Sequence, residues 1–219
     1  MARQRVAILI SGRGSDMMAL VAAAADPAYP ADIVLVLSNR PDAPGLDKAA
    51  ATGVPVEVLD HRTFPGREAF DDALDARLHA VGADLVCLAG FMRVLTPSFV
   101  ARWHGRLINI HPSLLPAFPG LDTHQRALAA GVKLHGATVH FVGPGLDDGP
   151  IIAQAAVPVT SADTAESLAA RVLKAEHRLY PLALALVARG EAKLVEGKVV
   201  TQGIATSAGV LFWPPAPDI

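Results

Sequence analysis

Short apolar runs alternate with helical patterns along the first half of the chain. Five runs predict strands, because they are short, rich in β-branched residues and bounded by Gly, Pro, Asp or Asn. They are VAILI (6–10), IVLVL (33–37), VPVEVL (54–59), DLVCLA (84–89) and RLINI (106–110). Residues 15–25, 47–53 and 67–82 lie between them and predict helices, two of which end on glycine. Continuously apolar strands are typical of a parallel sheet that is covered on both faces. The order therefore predicts an α/β fold with a doubly wound, mostly parallel sheet flanked by helices.

The pattern changes after residue 131. Residues 133–142 and 150–159 predict two further strands, joined by the turn-rich segment VGPGLDDGP (142–150). A long helix is predicted from about Asp163 to Tyr180, where Pro181 should break it. We expect one domain over residues 1–205, divided into halves at residues 105 and 106, and a loose proline-rich tail over residues 206–219.

Composition narrows the class of protein. The chain has 219 residues, of which 52% are hydrophobic and 18% charged, and this excludes a disordered protein. The net charge of -2 provides no general attraction for nucleic acid or for a membrane surface. Cys87 is the only cysteine, and no apolar run is long enough for a bilayer span or a signal peptide. We therefore expect a soluble, cytoplasmic protein, in which the apolar segment LALALVARG (182–190) makes a homodimer possible.

Two polar residues interrupt the last of the five apolar runs. Asn109 and His111 are two residues apart, so on a strand they project to the same face, at the edge where α/β sheets bind ligands. Pro112 ends the strand, and further prolines at 116 and 119 should stiffen the loop. An amide beside an imidazole could stabilise an oxyanion and transfer a proton. Taken alone, the pair could equally well cap the strand end.

A pair of acids lies in the segment GPGLDDGP (143–150). Glycine and proline constrain Asp147 and Asp148, which favours a positioned carboxylate able to orient the imidazole. An ordinary acidic turn remains an alternative.

The segment SGRGS (11–15) joins the first predicted strand to the first helix. Gly12 and Gly14 permit a tight turn, and the free N–H groups of the helix start favour an anion. Met17 stands where a dinucleotide-binding motif needs its third glycine, and no Gly-Lys-Ser/Thr follows. The segment therefore favours a phosphate, such as that of a phosphosugar. The eight histidines form no known metal-ligand motif, so no metal is expected, and His140 is interpreted as a core or supporting residue.

Several segments together resemble one family. VAILISGRGS (6–15), LAGFMRVL (88–95), RLINIHPSLLPAFPG (106–120), HGATVHFV (135–142), LDDGPII (146–152) and AEHRLYP (175–181) are similar to the phosphoribosylglycinamide formyltransferases of purine biosynthesis. The resemblance covers most of the chain. It implies transfer of a formyl group from 10-formyltetrahydrofolate, as co-substrate and without a metal, to the amine of 5′-phosphoribosylglycinamide. It also implies that residues 1–105 form a Rossmann-like, phosphate-binding half and that residues 106–205 form the catalytic and folate-binding half.

The resemblance assigns residues to three sets. The catalytic set is Asn109, His111 and Asp147. The substrate-binding set is Gly14, Ser15 and Asp16, for the phosphate, with Leu173, Lys174, Ala175 and Glu176 near the amine or ribose. The folate-binding set is Arg67, Met92, Arg93, Val94, Leu95, Asn109, Gly143, Pro144, Gly145, Leu146 and Asp147.

Two residues depart from the family pattern. Asp16 replaces the usual asparagine, and a carboxylate beside a phosphate is unfavourable unless it turns away. Asp148 replaces a small residue after the catalytic aspartate. The alternatives are a formyltetrahydrofolate deformylase, which would carry an extra N-terminal domain, and a non-catalytic phosphosugar-binding module. The first strand begins within about ten residues of Met1, which favours the transferase.

Overall fold

The computed structural model describes residues 2–203. The strands are β1 (Gln4–Ile10), β2 (Ala31–Ser38), β3 (Val56–Val58), β4 (Leu85–Leu88), β5 (Leu107–His111), β6 (Leu134–Phe141), β7 (Ile151–Pro158), β8 (Ala192–Val195) and β9 (Lys198–Thr201). The helices are α1 (Ser15–Ala24), α2 (Gly45–Ala50), α3 (Arg67–Ala80), α4 (Pro97–Arg102), α5 (Thr123–Ala130) and α6 (Ala165–Ala188), with a 3-10 turn at His61–Thr63.

Within the described residues the main sheet has seven strands in the order β3-β2-β1-β4-β5-β6-β7. The five strands from β3 to β5 are mutually parallel, whereas β6 pairs antiparallel with β5 and β7 pairs antiparallel with β6. The chain winds outward from β1 in both directions, which confirms the predicted doubly wound, mostly parallel α/β fold. A separate hairpin, β8–β9, follows α6.

The sheet is covered on both faces, and β1 shows why its sequence is continuously apolar. Val6, Ile8 and Ile10 pack with residues of α1 and α6, whereas Ala7 and Leu9 pack with residues of α3 and α4 on the opposite face. All five side chains are fully buried. Each helix layer removes one face of the sheet from water, so the parallel strands need apolar residues at every position.

The sequence predicted that the long C-terminal helix would break at Pro181, and this prediction is wrong. Helix α6 runs on to Ala188, although a proline leaves the carbonyl four residues earlier without its usual donor. Buried residues lie on both sides of the proline, including Tyr180 and Leu184, and the Tyr29 hydroxyl donates a hydrogen bond to the Pro181 carbonyl (2.7 Å). Packing against the sheet therefore keeps the helix continuous where local propensity opposes it.

Several elements are shorter or additional relative to the prediction. Strand β3 keeps only three residues of the predicted run 54–59, because it is an exposed edge strand. Helices α4 and α5 and the hairpin β8–β9 have no counterpart in the predicted elements. The predicted tail, residues 206–219, lies outside the described residues, and the division at 105 and 106, the cytoplasmic location and the homodimer stay predictions. No helix among residues 2–203 is both long and apolar enough to cross a membrane.

Candidate active site

The polar pair of β5 lies on the face of the sheet opposite to α1 and α6. Ile108 and Ile110 belong to the core between the sheet and those helices, so Asn109 and His111 project to the other face, as does Leu107. His111 is buried and Asn109 is half-buried. The structure thus places both polar side chains together at the carboxyl end of β5, as their spacing predicts.

Both ring nitrogens of His111 have partners in other loops. Nδ1 lies 3.3 Å from Oδ2 of Asp147, and Nε2 lies 3.0 Å from the carbonyl oxygen of Phe118. The same Asp147 oxygen accepts a hydrogen bond from the Gly120 N–H (2.9 Å). Asp147 has a left-handed backbone (φ 52°), which aspartate tolerates better than most residues. Asp147 therefore connects the loop after β6 to His111 and to the loop after β5.

Asn109 is oriented by a histidine on the neighbouring strand. Asn109 and His140 are register partners across β5 and β6, and Nδ2 of Asn109 lies 3.2 Å from Nε2 of His140. Nδ1 of His140 lies 2.8 Å from the Phe141 carbonyl, so this nitrogen carries the proton and Nε2 accepts from the amide. Burial lowers the pKa of His140, which favours this neutral form. His140 therefore determines which way the Asn109 amide faces.

The segment between β1 and α1, residues 11–15, forms the tight turn that its glycines predict, and its anion-binding role stays a prediction. Gly14 precedes the first helical residue, Ser15, with φ 66° and ψ 34°. A Cβ atom at Gly14 would lie 2.7 Å from the Met17 Cε and 3.1 Å from the Gly45 Cα. Only glycine fits this backbone conformation and this close approach, and the turn leaves the first N–H groups of α1 available for an anion.

Two carboxyl groups meet beside this turn. The Asp16 side chain is mostly buried, and its Oδ1, which has no hydrogen-bond partner among the described residues, lies 3.9 Å from Nε2 of His177. Burial raises the pKa of Asp16, and the nearby His177 opposes the rise. Glu176 is only 7% exposed, and burial, together with the charge of Asp16, raises its pKa to about 8. Asp16 thus lies against α6, where it destabilises the ionised form of Glu176.

The other residues predicted on α6 do not converge with Glu176. Leu173 and Ala175 are half-buried, and Lys174 is exposed. Consecutive residues of a helix are about 100° apart around its axis. The four residues 173–176 therefore spread around most of the helix, and their substrate-binding role stays a prediction.

The predicted folate segments lie in three places around the polar pair. Met92, Val94 and Leu146 are large apolar side chains exposed to solvent, with Met92 at 72% and Leu146 at 66%. The Met92 N–H donates to the Ser11 hydroxyl (2.8 Å), which fastens residues 91–95 to the end of β1. Exposed apolar side chains on loops beside polar groups are typical of a binding site.

The remaining predicted folate residues differ in exposure. Arg67 is exposed at the start of α3, and the guanidinium of Arg93 lies over the Phe70 ring, 4.8 Å from its centroid. Leu95, in contrast, is buried in the core formed by α3 and α4. Gly143, Pro144 and Gly145 form the loop that leads to Asp147. The folate-binding roles of these residues stay predictions.

Comparison with known proteins places this geometry in a family. The family model described as "Formyl transferase" matches residues 4–184. The phosphoribosylglycinamide formyltransferase of Escherichia coli is 43% identical over 198 residues, which cover 90% of this chain and 93% of that protein. The chain belongs to the phosphoribosylglycinamide formyltransferase family.

Other relatives of the family differ in architecture. The bovine trifunctional purine biosynthetic protein adenosine-3 is 50% identical over 194 residues, which are 89% of this chain but only 19% of that protein. The chain thus spans about a fifth of the length of this trifunctional relative. The glycinamide ribonucleotide transformylase 1 structure from Symbiobacterium toebii is 46% identical, has a TM-score of 0.88, and matches 91% of this chain and 94% of that one.

A hydrolase shares the fold. The formyltetrahydrofolate deformylase structure from Pseudomonas syringae is 27% identical, with a TM-score of 0.82, and matches 91% of this chain and 66% of that one. The transferases are more similar to this chain than the deformylase is. Because a transferase and a hydrolase share this fold, only the residues of the site can indicate the reaction.

His140, which the sequence predicted to be a core or supporting residue, contacts and orients Asn109, whereas the contact of Ser11 with Met92 was not predicted. The antiparallel register of β5 and β6 brings His140 to Asn109, and the parallel arrangement of β1 and β4 brings Ser11 to Met92. The only signal in the sequence was a polar residue within an otherwise apolar strand or at its end. A cavity of about 380 Å³ adjoins Asp147, but its lining includes neither Asn109 nor His111. Among residues 2–203, no group of three or more His, Cys, Asp or Glu side chains is arranged to hold a metal ion.

Proposed function

We propose that this chain transfers the formyl group of 10-formyltetrahydrofolate to the amine of 5′-phosphoribosylglycinamide. The observation that carries the proposal is the contact between Nδ1 of His111 and Oδ2 of Asp147, 3.3 Å apart, with Asn109 on the same strand face. Family membership supports the reaction class and both substrates. The site supplies amide and imidazole hydrogen-bond donors, as an acyl transfer through an oxyanion requires.

The proposed reaction is a direct transfer between two adjacent ligands. The neutral amine attacks the formyl carbon, and the carbonyl oxygen becomes an oxyanion that accepts hydrogen bonds from Asn109 and His111. The bond from carbon to the folate nitrogen then breaks. A proton leaves the former amine and reaches the departing nitrogen through His111 or a water molecule ordered by Asp147. The reaction balances without a covalent enzyme intermediate.

The His111 ring must change one partner to take this role. The Phe118 carbonyl and the Asp147 carboxylate occupy its two nitrogens. Phe118 (φ 55°) and Asp122 (φ 56°) both have left-handed backbones, and this costs a non-glycine residue about 1 kcal/mol. We propose that the loop at residues 113–122 relaxes when the phosphosugar binds, so that Nε2 exchanges Phe118 for the oxyanion.

The ligands of the proposed reaction match the rest of the site. The turn at Gly14 and Ser15, with the backbone of Asp16, would hold the phosphate at the start of α1. Glu176 would contact the ribose or amine. The exposed apolar side chains of Met92, Val94 and Leu146, together with Asn109, Gly143, Pro144, Gly145 and Asp147, would contact the folate. Arg67 and Arg93 would face its carboxylates, and Leu95, which is buried, would support this cleft from below.

The test follows the loss of the formyl group from 10-formyltetrahydrofolate with and without 5′-phosphoribosylglycinamide. Loss that requires the phosphosugar, with formylated product, supports the proposal. Release of formate without the phosphosugar would identify a deformylase, which the shared fold with the Pseudomonas syringae protein makes the second candidate. No loss in either reaction, with phosphosugar binding retained, would identify a non-catalytic phosphosugar-binding module.

A further inference from the structure

Asp148, the residue after the proposed catalytic aspartate, has no role in the transfer described above. It lies in the loop at residues 143–149, which we call the acidic loop. Asp148 is exposed, and no hydrogen bond or ion pair joins its side chain to another described residue. Its oxygens lie against the backbone of two glycines of the same loop.

At both glycines, Gly143 and Gly145, there is no room for a side chain. A Cβ atom at Gly143 would lie 2.7 Å from Oδ1 of Asp148, and one at Gly145 would overlap Oδ2 and lie 2.7 Å from Cγ. Neither glycine has a φ in the left-handed range, in contrast to Gly14 or Gly120. Backbone freedom therefore does not explain glycine at these two positions. The Asp148 carboxyl group adjoins both, and at Gly143 a Cβ atom would in addition lie 3.3 Å from the Gly149 Cα.

The segment between Gly145 and Asp148 contains two residues of the acidic loop that are proposed to contact the ligands. Leu146 and Asp147 lie between Gly145 and Asp148, and Asp147 has a left-handed backbone that its surroundings must maintain. The Asp147 side chain is fixed from outside by His111 and Gly120. Leu146 has no such attachment, and its side chain is 66% exposed.

We infer that Asp148 is a positioning residue whose carboxyl group fills the inside of the acidic loop, and that Gly143 and Gly145 form the space it occupies. This inference rests on the proposed function, because the loop it shapes is the one proposed to contact the folate. The filled loop holds Leu146 at the cleft. Asp148 therefore affects the binding of the formyl donor more than the chemical step, and its effect depends on glycine at position 145.

A double-mutant cycle tests this dependence. G145A should raise the KM for 10-formyltetrahydrofolate by up to about 5-fold, because its methyl group displaces the Asp148 carboxyl group. D148A should raise the same KM about 5-fold while kcat changes less than about 2-fold, since His111 and Gly120 still hold Asp147. In the D148A background, G145A should cause no further loss. D148N, which has nearly the same shape, should stay within about 2-fold of the wild type.

A second readout does not depend on the reaction. Amide hydrogen exchange of residues 143–149 should be faster in G145A and D148A than in the wild type, and no faster in the double variant than in D148A. Gly66 provides the control, because a Cβ there would make only an ordinary contact, 3.7 Å from Glu68. G66A should leave both readouts unchanged with or without D148A.

Three results would overturn the inference: multiplicative effects of G145A and D148A on the donor KM, D148N as impaired as D148A, or unchanged exchange in all variants. If the wild type lacks transferase activity but the exchange data follow the cycle, the proposed function fails and the positioning role of Asp148 stands.

Discussion

The two ends of the proposed site differ in how their polar groups are satisfied. At the transfer centre, Asn109, His111 and Asp147 all have partners within the protein. At the turn proposed to bind the phosphate, Oδ1 of Asp16 is buried without a hydrogen-bond partner among the described residues, although His177 lies 3.9 Å away, and burial raises the pKa of Glu176. In the proposed reaction, the transfer centre would therefore exchange internal contacts for ligand contacts, whereas at the proposed phosphate site a ligand or a proton would relieve an unfavourable interaction.

The largest expected effect is at the transfer centre. H111A or N109A should lower kcat by about 100-fold or more, because each removes a proposed donor to the oxyanion. Steady-state kinetics with both substrates measures this, and thermal unfolding checks that the variants fold. H104A, which alters an exposed histidine, serves as the matched control and should retain wild-type turnover. Normal turnover in both site variants would remove them from the mechanism.

The second expected effect is on stability and comes from Glu176, beside the proposed phosphate-binding turn. The pKa of Glu176 is about 8, against an ordinary 4.5. Between these values the folded protein holds a proton that the unfolded chain has released, so the free energy of unfolding falls as pH rises from about 4.5 to 8. E176Q should lack this contribution and should gain about 4 kcal/mol relative to the wild type by pH 8.

Urea unfolding at pH 5, 6.5 and 8 measures the difference. E166Q removes an exposed glutamate from the first turn of the same helix and should show the wild-type pH dependence. Parallel profiles for wild type and E176Q would mean that Glu176 is ionised without penalty in the folded protein.

A third effect tests the departure at position 16. D16N removes a negative charge beside the proposed phosphate position, so the KM for 5′-phosphoribosylglycinamide should fall about 5-fold at pH 8. It should also lower the pKa of Glu176, because the charge of Asp16 contributes to its rise. D32N makes the same charge change at the amino end of β2 and should leave KM unaffected. A higher KM in D16N would show that the carboxylate favours substrate binding.

The smallest effect concerns the attachment of the folate segment. The Ser11 hydroxyl accepts from the Met92 N–H and donates to Oδ1 of Asn39 (2.5 Å). S11A should raise the KM for 10-formyltetrahydrofolate about 3-fold and leave kcat unchanged, because one hydrogen bond to the loop is lost. S98A removes the exposed hydroxyl near Thr96 as a control. An equal fall in kcat would place Ser11 in the chemical step.

The sequence predicted the parallel part of the fold better than the rest, for a physical reason. Strands buried on both faces, such as β1, have unbroken apolar sequences, and the glycines at 12 and 14 indicate the turn before α1. Helix α4 has a readable start, Thr96 followed by Pro97, but it has only six residues. Glu196 and Gly197 both have positive φ, as the turn of a two-residue hairpin requires, but this hairpin was not predicted either.

The contacts of the candidate site could likewise be predicted only in part. Residues on one strand, such as Asn109 and His111, could be related by their spacing alone. The contact of His111 with Asp147 was expected from chemistry, but the partners Phe118, Gly120 and His140 depend on loop paths and strand register. Those are properties of the tertiary fold, which a local pattern does not encode.

One oxygen atom of Asp147 has a wider consequence. It contacts the ring of His111 and the N–H of Gly120, so a single carboxylate joins the acidic loop to the loop after β5. Rearrangement of either loop must disturb the other. We therefore expect the two substrates to bind with thermodynamic linkage, in which occupancy by the phosphosugar changes folate affinity by some factor and folate changes phosphosugar affinity by that same factor.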